Sequence, residues 1–290
     1  MKCIHHNDSD GRYAAAIVGI FFNESLEIDD FIELDYSNDI PYEKFKRDEL
    51  VYIVDYSFGP DEIDKLFDLM RITTNIVWID HHASSLKSIG KFPEIKEQIF
   101  TKIEVGRCAA MLVYEYFNIS ANHKVKMPRV LELLDDYDCW KKQFDSSNAL
   151  NYGLMGLEDV HPLAILYERL LDPDNYKVLD SIIRTGKVIE QYMLAANKDY
   201  ISKYGYDAKL KSTDKEYKIC VVNTRSNSLI FGDKIKDYDL VCCYWSTNKE
   251  SYQYSIFTVN DNIRCDKIAE EFGGGGHARA AGFVLDYKLF

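Results

Sequence analysis

"LVYIVDYSFGPDEIDKLFDLMRITTNIVWIDHH", residues 50–82, decides how this chain folds. Its ends, "LVYIVDYS" (50–57) and "NIVWIDHH" (75–82), are apolar runs that each finish on an acid. Between them "GPDEIDKLFDLM" opens with proline and acids and then places apolar residues at helical spacing. A strand, a helix and a second strand in that order predict a parallel, Rossmann-like sheet. Outward from it, "KCIHH" (2–6) is strand-like and passes through "NDSDG" into a small-residue helix, Arg12 to Phe22. "FIELDYS" (31–37) is another apolar run, and Gly106 to Phe117 and Pro128 to Leu134 read as helices.

"NYKVLDSIIRTGKVIEQYMLAANKDYISKY" (175–204) has the pattern of one long amphipathic helix. Beyond it "KICVVNT", "LVCCYW" and "YQYSIFTV" are β-rich, and "DKIAEEF" is a helix entering "GGGGHARAAGF". The expected organisation is α/β throughout: a Rossmann-like domain over 1–173, a connector helix over 174–205, and a smaller α/β domain over 206–290.

With 290 residues, 47% of them hydrophobic, the chain can bury a core. A net charge of -12 argues against a long basic groove for duplex nucleic acid. A short phosphorylated substrate stays compatible, because bound divalent cations reverse the local sign. The 7 cysteines are scattered with no CxxC pair, which suits reduced thiols better than a zinc knuckle or a disulfide framework. "MKCIHHNDSDG" is not a signal peptide, and the longest apolar run, "AAAIVGIFF" (14–22), is too short to cross a bilayer. The expectation is a soluble, cytoplasmic protein with no membrane partner; a homo-oligomer is compatible with it but not dictated.

Ligands collect beyond the carboxyl ends of strands in an open parallel sheet. Those ends here carry His6-Asn7-Asp8-Ser9-Asp10-Gly11, then Asp55, then Asp80-His81-His82, while "LLDDYDCW" (133–140) places Asp135, Asp136 and Asp138 after a helix. In an extended segment alternate residues face the same way, so His6, Asp8 and Asp10 would converge. Four or more carboxylates pooled at one sheet edge repel each other unless cations neutralise them. Carboxylates mixed with imidazoles suit Mn²⁺, or Mg²⁺ with several waters. Taken singly, Asp55 reads as a turn or capping residue, Asp35 likewise, and "DDYD" as a solvated helix end. The combination decides for chemistry: 5 of the 7 histidines (5, 6, 81, 82 and 277) fall inside three short motifs.

"HHNDSDG", "VDYSF", "IDHH" and "DDYDCW", in that order, resemble the four metal-binding motifs of the DHH phosphoesterases, and "FGGGGHARAAGF" resembles the signature of the C-terminal domain that accompanies them. The resemblance spans nearly the whole chain. It implies two divalent metal ions, usually Mn²⁺, which activate a shared water as hydroxide and hydrolyse phosphodiester or phosphoanhydride bonds. By the same resemblance His6 and Asp8 would hold one metal and Asp10 the other, Asp55 would bridge them, and His81 and Asp136 would complete the second site. Asp136 is preferred because the family's Asp-x-Asp-x-Trp pattern maps onto Asp136-Tyr137-Asp138-Cys139-Trp140, with Asp138 as the fallback. Asp80 would orient a histidine, and His82 would face the scissile phosphate as a donor. His5 reads as a strand residue.

Four glycines often mark a linker, but the apolar flanks "IAEEF" and "AAGFVL" contradict that here. A glycine turn ahead of a short helix would expose backbone N–H groups to an anion. Gly274, Gly275 and Gly276 with His277 and Arg279 are therefore candidate substrate contacts; in the family this motif holds the terminal phosphate or nucleotide of the substrate. Phe257 stands about where many relatives that degrade short oligonucleotides carry an arginine; Arg264 or Arg107 are candidates to replace that charge. The leading reading is a two-metal phosphodiesterase or exonuclease of short single-stranded oligonucleotides or small nucleotides. The alternatives are a phosphoanhydride hydrolase of pyrophosphate or polyphosphate, and a non-catalytic nucleotide-binding protein.

Overall fold

The computed structural model describes residues 1–22, 26–36, 38–120, 126–157, 161–213, 215–225, 228–247 and 250–290. It contains two compact units, Met1–Lys187 and Val188–Phe290. The first runs β1 (Lys2–His6), α1 (Ser9–Phe22), β2 (Phe31–Leu34), β3 (Val51–Val54), α2 (Ile63–Ile72), β4 (Ile76–Asp80), α3 (Ala83–Lys91), α4 (Glu94–Gln98), β5 (Phe100–Ile103), α5 (Ala109–Ser120), α6 (Arg129–Asp138), α7 (Ser146–Met155) and α8 (Ile165–Leu171). The long helix α9 spans Tyr176–Tyr204, and the division between the units falls inside it.

The first unit's strands form one parallel sheet in the order β2-β1-β3-β4-β5. Strand side chains alternate between faces, so a strand apolar at every position needs cover on both sides. β3 and β4 are such strands. Tyr52, Val54, Val77 and Ile79 face one core, shared with Tyr13–Val18 of α1 and Ala109–Val113 of α5. Val51, Ile53, Ile76 and Trp78 face the other, filled by Ile63, Leu66 and Leu69 of α2, Ile89 of α3 and Ile95 of α4. The parallel α/β architecture is as the sequence predicts. β5 was not anticipated; it is a short edge strand, mostly half-buried, with too little apolar character to stand out. The run "FIELDYS" supplies only β2, and Ser37 lies outside the described residues.

The second unit adds β6 (Tyr206–Lys211), β7 (Glu216–Asn223), β8 (Leu240–Ser246), β9 (Tyr252–Phe257), α10 (Cys265–Glu271), β10 (Gly275–His277) and β11 (Ala280–Leu285). They form a six-stranded mixed sheet, β10-β11-β9-β8-β7-β6, in which only β7 and β8 run parallel. α10 closes a core of Ile219, Val221, Cys242, Tyr254, Ile256, Ile268 and Phe283. The glycine run differs from expectation. No short helix follows it; Gly275–His277 pair antiparallel with Gly282–Ala280 as a hairpin. A side chain at Gly274 would put its Cβ 2.1 Å from the Gly282 carbonyl oxygen, so the glycine there serves close strand approach. All seven cysteines are free, and among the described residues no helix is long and apolar enough to cross a membrane.

Gly11 sets how α1 leaves β1: an added Cβ would lie 2.3 Å from the His6 carbonyl oxygen. Gly11→Ala should therefore destabilise the fold by about 1–3 kcal/mol, read as a lower Tm in thermal unfolding. An unchanged Tm would mean that α1 is not seated against this carbonyl.

Candidate metal centre

The strand order 2-1-3-4-5 reverses direction between β1 and β3, the point at which open α/β sheets bind their ligands. His6 ends β1, Asp55 follows β3, and Asp80-His81-His82 leave β4. Asp8 lies just before α1, where its Oδ1 accepts the Gly11 N–H at 2.9 Å, as a capping carboxylate does. Asp10 sits one residue into that helix and is buried. Convergence of His6, Asp8 and Asp10 therefore comes from a strand-turn-helix bend rather than from the alternation of an extended segment.

His81 is the hub. Its Nε2 lies 3.1 Å from Asp55 Oδ1, 3.4 Å from Asp138 Oδ2 and 3.7 Å from Asp10 Oδ2. On the other side His6 Nδ1 is 2.8 Å from Asp8 Oδ2, and His6, Asp8 and Asp55 offer ligand atoms all within 4.8 Å of one another. His5 is buried in β1 with its Nδ1 2.9 Å from the His6 carbonyl oxygen, and it stands outside these groups.

Asp136 does not join them, and this corrects the expected ligand set. Its oxygens accept the Gln143 N–H (2.6 Å), the Phe144 N–H (3.2 Å) and the Ser147 hydroxyl (2.5 Å), so it closes the loop leading into α7. Asp135, Asp136 and Asp138 lie within α6 rather than after it. At about 100° per residue, Asp138 points some 200° away from Asp136, toward His81. Asp138, the fallback, is the acid brought to the cluster.

The electrostatics are those of crowded acids, Asp10 and Asp55 buried and Asp8 and Asp138 half-buried. Burial, then the charges of Asp10, Asp8 and Asp138, push Asp55 well above the usual carboxylate range. Burial and the Asp138 charge push Asp10 up to about 7; burial and the Asp8 charge do the same to Asp138. Asp8 goes the other way. Burial opposes its ionisation, but the hydrogen bond and charge of His6 and the Gly11 N–H outweigh burial and hold it below its ordinary value. His81 eases Asp10 in part, and the Asp10 oxygens accept the Ala109 and Ala110 N–H groups at 2.6 and 2.9 Å, at the positive end of α5. Both oxygens of Asp55 and Oδ2 of Asp138 are buried with no hydrogen-bond partner. Buried acceptors are rarely left so, and carboxylate oxygens beside imidazole nitrogens are the donor set of a divalent cation site.

Asp80 is buried but fully engaged. Its Oδ1 takes His82 Nδ1–H at 2.7 Å and its Oδ2 takes the Ser85 hydroxyl at 2.5 Å. The Ser85 hydroxyl lies 2.9 Å from that of Ser57, which is 2.5 Å from Ser84. Burial works against a charged His82, yet the Asp80 charge and hydrogen bond outweigh it and raise the imidazole to about 9. The serines were not foreseen; Ser84 and Ser85 directly follow "IDHHA", so only their closeness to the motif could have flagged them.

In the second unit Gly275 and Gly276 are exposed, and Gly274 and His277 are half-buried. The Arg279 guanidinium pairs with Asp261, so its charge is shared rather than wholly available to a phosphate. Phe257 is buried in its sheet. Arg264 pairs with Asp266, and Arg107 with Glu115 and Glu104, so neither offers an uncommitted charge in place of an arginine at 257.

No family model matches the chain. Over 98% of its length it is 24% identical to oligoribonuclease NrnB of Bacillus subtilis, covering 73% of that protein. Among solved structures, the DHH domain of a member of a family of ribosomal proteins matches with a TM-score of 0.58 at 14% identity, over 97% of this chain and 81% of that one. RecJ of Thermus thermophilus, in complex with Mn²⁺, matches at 0.50 and 13% identity, over 98% of this chain and 49% of that one. The likeness to NrnB over nearly the whole chain, and a fold shared with a DHH domain, accord with the resemblance of the motifs to those of the DHH phosphoesterases.

Proposed function

We propose that this protein hydrolyses phosphodiester bonds in short single-stranded oligonucleotides or small nucleotides, using two divalent cations, Mn²⁺ or Mg²⁺. The observation that carries this reading is Asp55, buried among three other acids, with neither carboxylate oxygen accepting a hydrogen bond and only the His81 imidazole close to it. His6 and Asp8 would hold one cation, Asp10, His81 and Asp138 the other, and Asp55 both. Bound there, the cations would supply the Lewis acidity that polarises a phosphoryl group and lowers the pKa of an attacking water.

The chain's own residues do the rest. Asp80 accepts the Nδ1–H of His82, which fixes the ring, and the Nε2 side is the proposed donor to a phosphoryl oxygen or leaving group. Ser85 holds Asp80 in turn, so the donor is set before substrate arrives. The net charge of -12 favours short substrates, since long strands need an extended basic track. The named relative NrnB, an oligoribonuclease, supports the same size class. The hairpin with Gly274, Gly275, Gly276 and His277 is the proposed contact for the remainder of the substrate, with Arg279 a weaker contributor beside Asp261.

Turnover of di- to pentanucleotides, long single strands and pyrophosphate in Mn²⁺ tests the reading directly. Di- to pentanucleotides should be cleaved fastest, and Asp55→Ala should lower that turnover by roughly three orders of magnitude or more in a chain that still folds. Cleavage of pyrophosphate alone, or an active Asp55→Ala, would reject it.

The two acids of α6 should separate cleanly. Asp138→Asn should weaken Mn²⁺ uptake at least roughly 10-fold while leaving the metal-free Tm equal or higher, because one repelling charge is gone. Asp136→Ala should retain uptake but lose about 1–3 kcal/mol of stability. The reverse pattern in calorimetry would restore Asp136 as the ligand.

The raised acids also fix a pH dependence. Asp10 and Asp138, at about 7 in the folded chain, keep protons that the unfolded chain has already lost near its ordinary carboxylate value. Metal-free stability from these groups is therefore greatest at low pH and is lost as pH rises toward about 7. Tm of the metal-free protein should fall between about pH 4 and pH 7, and Mn²⁺ should restore most at the upper end. A flat metal-free profile would show that the acids are not crowded.

A further inference from the structure

Tyr36 follows β2 beside the metal centre, and nothing in its sequence context marks it as more than a turn residue. It is 41% exposed, yet its ring is held. It stacks on buried Tyr56 at 5.2 Å, with the His6 imidazole tilted against it at 5.2 Å and His82 edge-on at 6.4 Å. Tyr56 directly follows Asp55, so the ring rests on the residue next to the central carboxylate. Its hydroxyl oxygen accepts the Ser57 N–H at 3.4 Å, and Ser57 belongs to the serine chain that supports Asp80. Among the described residues, no acceptor takes the proton of that hydroxyl.

With Tyr56 stacked on the ring and His6 leaning on it, the hydroxyl rather than a bare ring face is what Tyr36 offers. We propose that the Tyr36 hydroxyl donates a hydrogen bond to a phosphoryl oxygen of the substrate and, together with His82, positions the scissile phosphate. This rests on the phosphoesterase reading above and adds a residue to it. A neutral donor suits the place. It strengthens when its acceptor is anionic, and it adds no cation to compete for the carboxylates. The stacked ring and the Ser57 N–H fix it beforehand, so little ordering remains when substrate binds.

Tyr36→Phe and Tyr36→Ala are to be compared with the unaltered chain in three measurements. These are turnover of a dinucleotide, turnover of bis(p-nitrophenyl) phosphate, which carries no base, and calorimetric binding of inorganic phosphate to the Mn²⁺-loaded protein. Tyr36→Phe should lose roughly 10-fold in kcat/KM on both esters and bind phosphate more weakly, with Tm and Mn²⁺ uptake unchanged. Unaltered turnover and phosphate binding in Tyr36→Phe would overturn the proposal. So would a loss confined to the dinucleotide and to Tyr36→Ala, which marks base stacking instead. If the unaltered chain hydrolyses neither ester, the phosphodiesterase reading fails by itself. Phosphate binding then judges Tyr36 alone: weaker in Tyr36→Phe sustains the donor, equal removes it.

Discussion

Repulsion among buried and half-buried carboxylates at the switch point of the parallel sheet is the constraint on which this structure turns. Asp8, Asp10, Asp55 and Asp138 come from three separate segments, and three of the four are pushed upward in pKa by burial and by each other. A fold does not gain from such crowding; taking charge out of water is unfavourable and like charges make it worse. The arrangement makes sense as one end of an electrostatic balance whose other end is the proposed cations. The apolar strands β3 and β4, covered on both faces, supply the rigid base that holds the acids together against their repulsion.

Local devices share the load unevenly. Asp10 is answered by the start of α5, where two N–H groups and the positive helix end meet its oxygens. Asp135 does a similar service one residue earlier, accepting the Cys108 N–H at 2.9 Å, and is itself met by Lys141. Asp80 is neutralised by His82 and Ser85, which removes it from the competition for cations and turns it into the support of a donor. Asp55 accepts no hydrogen bond and has only the His81 imidazole beside it. It is the acid most dependent on an external charge, which is why the proposed bridging role falls to it.

Much of this was legible in the sequence, and the exceptions have physical causes. Strand ends could be read because apolar runs of four to eight residues stop abruptly at acids, and parallel sheets gather such ends on one side. The choice between Asp136 and Asp138 could not be read that way. A motif pattern fixes spacing along the chain, whereas α6 extends through both residues and turns them to opposite sides. The glycine run misled for a related reason: glycine permits a helix-entry turn and a tight hairpin equally, and strand pairing with Ala280–Gly282 decided between them. Tyr36 carried no signal at all, since an aromatic after a short strand gains meaning only from the rings of His6, Tyr56 and His82 around it.

Backbone strain tells the same story from another direction. Asp55 adopts φ +54°, left-handed backbone that turns its carboxylate out of the strand line and toward the other acids. Past Asp138, Trp140 and Lys142 both adopt φ +55°, and for a residue as bulky as tryptophan that conformation costs on the order of 1–3 kcal/mol. It persists because Asp136 fastens the next two N–H groups and Ser147 from the far side of α6. The two acids of the motif thus divide the work: Asp138 faces His81, and Asp136 holds the strained loop that lets α6 end where Asp138 can do so. Strain at β3 and strain after α6 flank the same group of carboxylates, so the backbone as well as the charges is bent toward one point.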